Sequence, residues 1–200
     1  MSPQAATIVE LFRRSNAYLR GHFRLTSGLH SPEYLQCALV LQYPEQARYL
    51  GELLAARLRE LAGGRNVDVV ASPAVGGLII GHEVARSLGA RFIFAERDAA
   101  GVMTLRRGFS VAAGEHAVVV EDVVTTGGST REVVDLLEHY KARVLGAGSI
   151  IDRSGGSAEV GVPRVALEQM QVVNYSPEEC PLCREGVPLV KPGSRPAPAA

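Results

Sequence analysis

The sequence predicts an α/β fold, a parallel sheet flanked by helices, and three observations carry that prediction. Short Val/Ile-rich runs recur along the chain: "VDVVAS" (67–72), "RFIFAE" (91–96), "AVVVED" (117–122) and "VLGAGSIID" (144–152). Stretches with helical spacing, 75–89 and 128–141, follow the first and third of these runs. The runs are almost continuously apolar rather than alternating, as strands covered on both faces require.

The elements follow in order. Ile8, Val9, Leu11, Phe12 and Leu19 recur at mostly helical spacing and predict a helix within 4–20. "HFRLTSGLHSPEYLQCALVL" (22–41) breaks that spacing with Ser, Gly and Pro and reads as short strands around a turn. A helix is expected over 44–61, opened by Pro44. The helix over 75–89 ends near Gly89. "RDAAGVMTLRRGFSVAAGE" (97–115) is long, glycine-containing and without helical pattern, the mark of a functional lid or a disordered segment. The tail from Pro192 reads as unstructured. No internal repeat is visible. The 200 residues suit one domain, 1–191, with a core over about 44–175, a small N-terminal lobe over about 1–41, and a disordered tail at 192–200.

Composition narrows the function classes. Lys+Arg and Asp+Glu are 21 each, so no global field draws the chain to nucleic acid or an anionic membrane. No apolar run is long enough to span a bilayer, and the N-terminus lacks a secretory layout, so a cytoplasmic protein is expected. Three cysteines do not make a disulfide framework. Cys180-Pro181-Leu182-Cys183 is half of a zinc site by spacing. Cys37, His22, His30, His82, His116 and His139 offer no matching second half, so a structural turn is the default and a metal or redox role the alternative.

The stretch "VVVEDVVTTGGST" (118–130) carries the chemistry. In an open parallel sheet, ligands sit outside the carboxyl ends of strands, and Glu121 and Asp122 fall at such an end. Packing gains nothing from two adjacent acids there. The glycines that follow let backbone N–H groups approach an anion at a helix N-terminus, and Thr125, Thr126, Ser129 and Thr130 add hydroxyl donors to the same pocket. Carboxylates do not bind phosphate, so the pair serves hydroxyls, a metal, or both. A sugar phosphate with vicinal hydroxyls meets both demands. Neither G-x-x-x-x-G-K-[ST] nor a G-x-G-x-x-G after the first strand is present.

These residues resemble the signature of type I phosphoribosyltransferases. "HFRLTSGLHSPEYLQ" is similar to the N-terminal hood of orotate phosphoribosyltransferases, "SPAVGGLIIG" (72–81) to the family's pyrophosphate loop, and "IIDRSGG" (150–156) to its last sheet strand with a base-recognising arginine. The resemblance implies a type I phosphoribosyltransferase-like sheet with a hood, and transfer of a phosphoribosyl group from phosphoribosyl pyrophosphate to orotate in UMP biosynthesis. It implies Mg²⁺ held mainly by substrate and water, with no direct protein ligand. It assigns Glu121, Asp122 and Arg97 to catalysis. Val123, Val124, Thr125, Thr126, Gly127, Gly128 and Ser129, with Ser72, Gly76, Arg106 and Arg107, are assigned to phosphoribosyl pyrophosphate. Thr125, Arg153, Tyr34 and Leu35 are assigned to orotate. For Arg153 the plain alternative is a surface ion pair with Asp152. Segment 97–115 resembles a flexible loop shared across the subunits of a homodimer, with solvated charges on a hairpin as the alternative for Arg106 and Arg107.

Three lysines of better-known members are replaced, by Thr26 in the hood, by Val75-Gly76-Gly77 in the pyrophosphate loop, and by Asp98 in the flexible loop. Either arginines such as Arg24, Arg106 and Arg107 stand in, or the substrate differs. The rival functions are transfer to another base (uracil, hypoxanthine or xanthine) and a non-catalytic phosphoribosyl-pyrophosphate sensor. No basic recognition helix supports the second.

Overall fold

The computed structural model describes residues 7–25, 27–170 and 172–192. Thr26 and the expected tail at 193–200 lie outside the described residues. In chain order the elements are α1 (Ile8–Arg14), β1 (Tyr18–Arg24), β2 (His30–Leu35), α2 (Cys37–Leu41), α3 (Pro44–Leu61), β3 (Val69–Pro73), α4 (Gly77–Leu88), β4 (Arg91–Arg97), β5 (Met103–Leu105), β6 (His116–Val124), α5 (Gly128–His139), β7 (Arg143–Asp152), β8 (Arg164–Gln169) and α6 (Pro181–Arg184). They fall into two compact units, Leu41–Met170 and a second made of Met1–Val40 with Gln171–Ala200.

Leu41–Met170 holds the six-stranded sheet, in the order β5-β4-β3-β6-β7-β8. Every pairing is parallel except β4 with β5. Strand alternation separates the two faces. Val69, Ala71, Ala117 and Val119 join Val133, Val134 and Leu137 of α5 in one buried cluster. Helices α3 and α4 cover the opposite face. Glycines set how closely they approach. A Cβ on Gly148 of β7 would lie 3.1 Å from Leu54 Cδ1 of α3, and one on Gly51 of α3 would lie 2.6 Å from Glu83 Cβ of α4. A side chain at Gly51 requires a shift of the helices, and one at Gly148 requires the leucines over it to give by a few tenths of an ångström.

The other unit begins with α1, opened by a capping box in which Thr7 accepts from Glu10 N–H and the Glu10 carboxylate accepts from Thr7 N–H. This helix is shorter than the expected 4–20, because Asn16 turns the chain at a φ of 51° and Leu19 belongs to β1. Strands β1 and β2 then pair antiparallel as a hairpin. Residues 172–192 lie along it through two isolated bridges, Phe23 with Val190 and His30 with Tyr175. Among the described residues, no helix is long and apolar enough to cross a membrane.

Segment 97–115 differs in part from expectation, since β5 lies within it and forms a hairpin with β4. Asp98 organises the turn, its Oδ1 accepting from the N–H groups of Ala100 and Val102 at 2.9 Å each. Likewise β6 runs to Val124, two residues beyond the expected strand, because its pairing with β7 continues through Val124 and Asp152.

Candidate active site

Because β3, β6 and β7 are parallel, the turns that leave them lie along one edge of the sheet. Such an edge is where open α/β folds bind ligands. The acids stand within the last four residues of β6, and its alternation sends their side chains to opposite faces. Glu121 points to the α5 side, where its carboxylate accepts a hydrogen bond from Thr130 Oγ1. Asp122 points to the α4 side. Its carboxylate lies so close over Gly76 that a Cβ there would be 2.6 Å from Oδ1 and 2.8 Å from Oδ2. That space is unavailable to a lysine at position 76 unless Asp122 moves. Asp122 Oδ1 also accepts from Val123 N–H at 2.9 Å.

Electrostatics set both acids apart from ordinary surface carboxylates. Burial raises the Glu121 carboxyl to about 7, with the Asp122 charge adding and the Thr130 hydrogen bond opposing. Burial also raises Asp122, against the pull of the Val123 N–H. Among the described residues, neither acid takes part in an ion pair. Burial thus favours the neutral form of both carboxyls, and a positive partner would favour the charged form.

Beside it, Gly127 caps α5 in the left-handed region at a φ of 81°, and a Cβ there would lie 2.8 Å from Val160 Cγ1. Both facts call for glycine. The N-cap Gly127 offers no side chain to the helix start, where Gly128 N–H makes a long 3.5 Å bond to Thr126 Oγ1, and the first turn lies beside the exposed Thr125, Thr126 and Gly128 and the half-buried Ser129. Val123 is half-buried and Val124 buried, so of these two only backbone faces a ligand readily. Thr130 differs from expectation. It is 1% exposed and bonds Glu121, so it positions the acid and is not a pocket donor.

Helix α4 gives a second uncapped N-terminus at Gly76, on the Asp122 side. Ser72, expected as a pyrophosphate contact, is fully buried, and its Oγ faces Gly77 and Gly81 of α4. These glycines bring the helix down onto β3, so the Ser72 side chain supports the loop from beneath. Arg153 follows β7, is 7% exposed, and its N–H donates to Val124 O at 2.8 Å. Asp152 is bonded to Arg164 Nη1 at 2.6 Å and to Ser154 Oγ at 2.6 Å. The expected alternative, an exposed Arg153–Asp152 pair, is thus replaced by a buried Asp152–Arg164 pair. No sequence signal marked Arg164, because it reaches Asp152 from a neighbouring strand.

The hairpin cations are largely engaged. Arg97 pairs with Glu132 at 2.7 Å and donates to Gly101 O at 2.8 Å. Arg107 grips Glu96 with two bonds, 2.7 and 2.8 Å, and lies over the Phe94 ring at 5.6 Å. Arg106 is exposed in the turn. Tyr34 and Leu35 belong to the other unit, on β2, with Leu35 buried and Tyr34 tilted against Phe23 at 5.7 Å.

Comparison with known proteins follows this geometry. Residues 40–173 match the phosphoribosyl transferase domain. Over 188 residues the chain is 54% identical to an orotate phosphoribosyltransferase of Pelotomaculum thermopropionicum, covering 94% of this chain and 96% of that one. It is 53% identical over 188 residues to an orotate phosphoribosyltransferase of Heliobacterium modesticaldum, covering 94% and 97%. A crystal structure of orotate phosphoribosyltransferase from Aeropyrum pernix has the same fold, with a TM-score of 0.67 at 24% identity over 82% of this chain and 94% of that one. Sharing half its residues with such relatives along nearly its whole length, the chain belongs to the orotate phosphoribosyltransferase family.

Proposed function

We propose that the protein transfers the phosphoribosyl group of 5-phosphoribosyl 1-pyrophosphate to orotate, giving orotidine 5′-monophosphate and pyrophosphate in pyrimidine biosynthesis. The observation that carries this reading is the β6 edge, where two desolvated acids stand beside an uncapped, glycine-led helix N-terminus. In the reaction a bond forms between orotate N1 and ribose C1 while the bond from C1 to the pyrophosphate oxygen breaks, its electron pair leaving with pyrophosphate. The orotate N1 proton is acidic, so no dedicated protein base is needed. As C1 becomes oxocarbenium-like, Glu121 and Asp122 support the developing positive charge and accept from the ribose hydroxyls. The N–H groups opening α5, with Thr125 to Ser129, hold the 5-phosphate. The uncapped start of α4 faces the pyrophosphate, and Arg153 reads the orotate carboxylate with its planar fork. The carboxylate oxygens of Glu121 and Asp122 are of the type a hard divalent cation prefers, alongside phosphate oxygens and water. Mg²⁺, held mainly by substrate and water, would supply charge neutralisation for the leaving pyrophosphate.

The same family membership supports a cytoplasmic homodimer in which the β4–β5 hairpin serves the neighbouring subunit. Exposed Arg106 is the hairpin cation best placed to reach an anion from outside. The test follows orotate absorbance with phosphoribosyl pyrophosphate and Mg²⁺, with uracil, hypoxanthine, xanthine and adenine offered in parallel. Consumption of orotate alone is expected, and Arg153→Ala should abolish the preference over uracil. Turnover of another base in place of orotate overturns the assignment, and silence with every base points to a non-catalytic sensor.

A further inference from the structure

The C-x-x-C at 180–183 lacks partners in the linear sequence, but the fold supplies them. His22 from β1 and His30 from β2 converge on Cys180 and Cys183 at the start of α6, and one ligand atom from each lies within 4.8 Å of all the others. His22, His30 and Cys180 are 2%, 5% and 0% exposed. The spacings are 3.0 Å from His22 Nε2 to His30 Nδ1, 3.4 Å from Cys180 Sγ to His22 Nε2, 3.7 Å from Cys183 Sγ to His22 Nε2, and 3.3 Å from Cys183 Sγ to His30 Nδ1. A tetrahedron around zinc has edges of about 3.3 Å between two nitrogens and about 3.6 Å between nitrogen and sulfur, from the usual Zn–N and Zn–S bond lengths. The three nitrogen–sulfur spacings bracket the second value, and the nitrogen–nitrogen spacing falls about 0.3 Å short of the first.

Hydrogen bonding alone does not account for this arrangement. His22 Nδ1 lies 2.8 Å from Val187 O, a contact it can make only as donor, which leaves Nε2 with one lone pair in the neutral ring. Three polar atoms converge on that single nitrogen, more than one lone pair serves. A cation at their centre satisfies all four ligands together. The Val187 contact also fixes the ring as metal-bound histidines are usually fixed, by a bond at the other nitrogen.

We propose that His22, His30, Cys180 and Cys183 form a closed tetrahedral zinc site that ties residues 172–192 to the β1–β2 hairpin. Two thiolates and two imidazoles select zinc over the hard cations that oxygen ligands prefer. Four protein ligands leave no open position, so the site is structural. The strip it anchors needs such a staple, since its regular structure among the described residues is the four-residue α6 and two isolated bridges. This site is separate from the acid pair on β6, and its test stands whether or not orotate is the substrate.

The test is metal analysis of the full chain purified without chelator, with cobalt exchange. About one zinc per chain is expected, and cobalt should give strong visible bands with thiolate charge transfer, the signature of tetrahedral sulfur ligation. Cys180→Ser and Cys183→Ser should each lower zinc at least five-fold, while Cys37→Ser, which is not one of the four ligands, should retain it. Should the cysteine variants fail to fold, zinc release from the unmutated chain on mercurial capping of its thiols decides the question. A chain that stays metal-free when supplied with zinc overturns the proposal. So does an octahedral cobalt spectrum, unchanged zinc in both folded cysteine variants, or a Cys180–Cys183 disulfide under the same conditions.

Discussion

Glu121 and Asp122 are neighbours in sequence but look to opposite faces of the sheet, so each has its own environment and its own role in the proton balance. Glu121 is the more telling, with its carboxyl raised to about 7 chiefly by burial. In the free enzyme it is part-protonated at neutrality, and only the charged form supports a developing cation. The pH profile of kcat/KM for orotate should therefore carry an acid limb near 7. Glu121→Gln should remove that limb and cost roughly 10²–10³-fold in rate, the scale of losing one group aimed at transition-state charge. Thr130→Val should instead move the limb to higher pH, since the Thr130 hydroxyl favours the ionised form. A limb unmoved in both variants would assign it to another group. The sign for stability runs the other way. The native carboxyl keeps its proton to about 7 and the unfolded one loses it near 4.5, so the native state loses stability as pH rises across that window.

Strand β7 shows how an element carries the site on a buried polar anchor. Its last residue, Asp152, is fully buried. Burial alone would raise its carboxyl, but the bonds from Ser154 and Arg164 more than offset this and hold it below the usual range. Asp152 thereby pins the start of the loop that carries Arg153. A depressed carboxyl contributes stability that is present above its unfolded value of 3.8 and lost as pH falls through the folded one. Arg164→Ala should cost about 3–5 kcal/mol at neutral pH, as loss of one partner from a buried pair does. Denaturant melts should show that gap narrowing in acid, and a gap constant with pH would argue for lost packing instead. Elements of this kind were legible in the sequence to the extent that they are buried on both faces. β3, β6 and β7 announce themselves as Val/Ile runs, β4 by its Phe-Ile-Phe centre with one face buried, and α3 by Pro44. β5 has three residues and α6 four, too few to show a period, and β8 lies at the sheet edge with mixed exposure. At the site, the acids and the glycine-led turn were readable because their types are unusual at a strand end. Asp122 over Gly76, Thr130 on Glu121, and Arg164 on Asp152 were not, since strand parity and cross-strand packing create them. The His22–Cys180 contact joins positions 158 residues apart, beyond any local pattern.

The whole molecule is assembled from one continuous unit and one made of two distant pieces of chain. Removing zinc from the proposed site should act selectively. Hydrogen exchange after chelation should quicken in 18–35 and 172–192 and stay near its native rate in β3, β6 and β7, whose protection comes from the packed sheet. Uniform quickening would mean that the metal supports the entire chain. The split unit also imposes an order on biosynthesis. The β1–β2 hairpin leaves the ribosome about 130 residues ahead of the strip that completes it, a wait of roughly 7–26 s at ordinary translation rates. Throughout that interval the sheet of Leu41–Met170 can form from local βα units, while His22 and His30 remain uncovered and accessible. The nascent hairpin is thus the chain's exposed stage, where a chaperone has most to protect and where a crowded translation site has most to entangle.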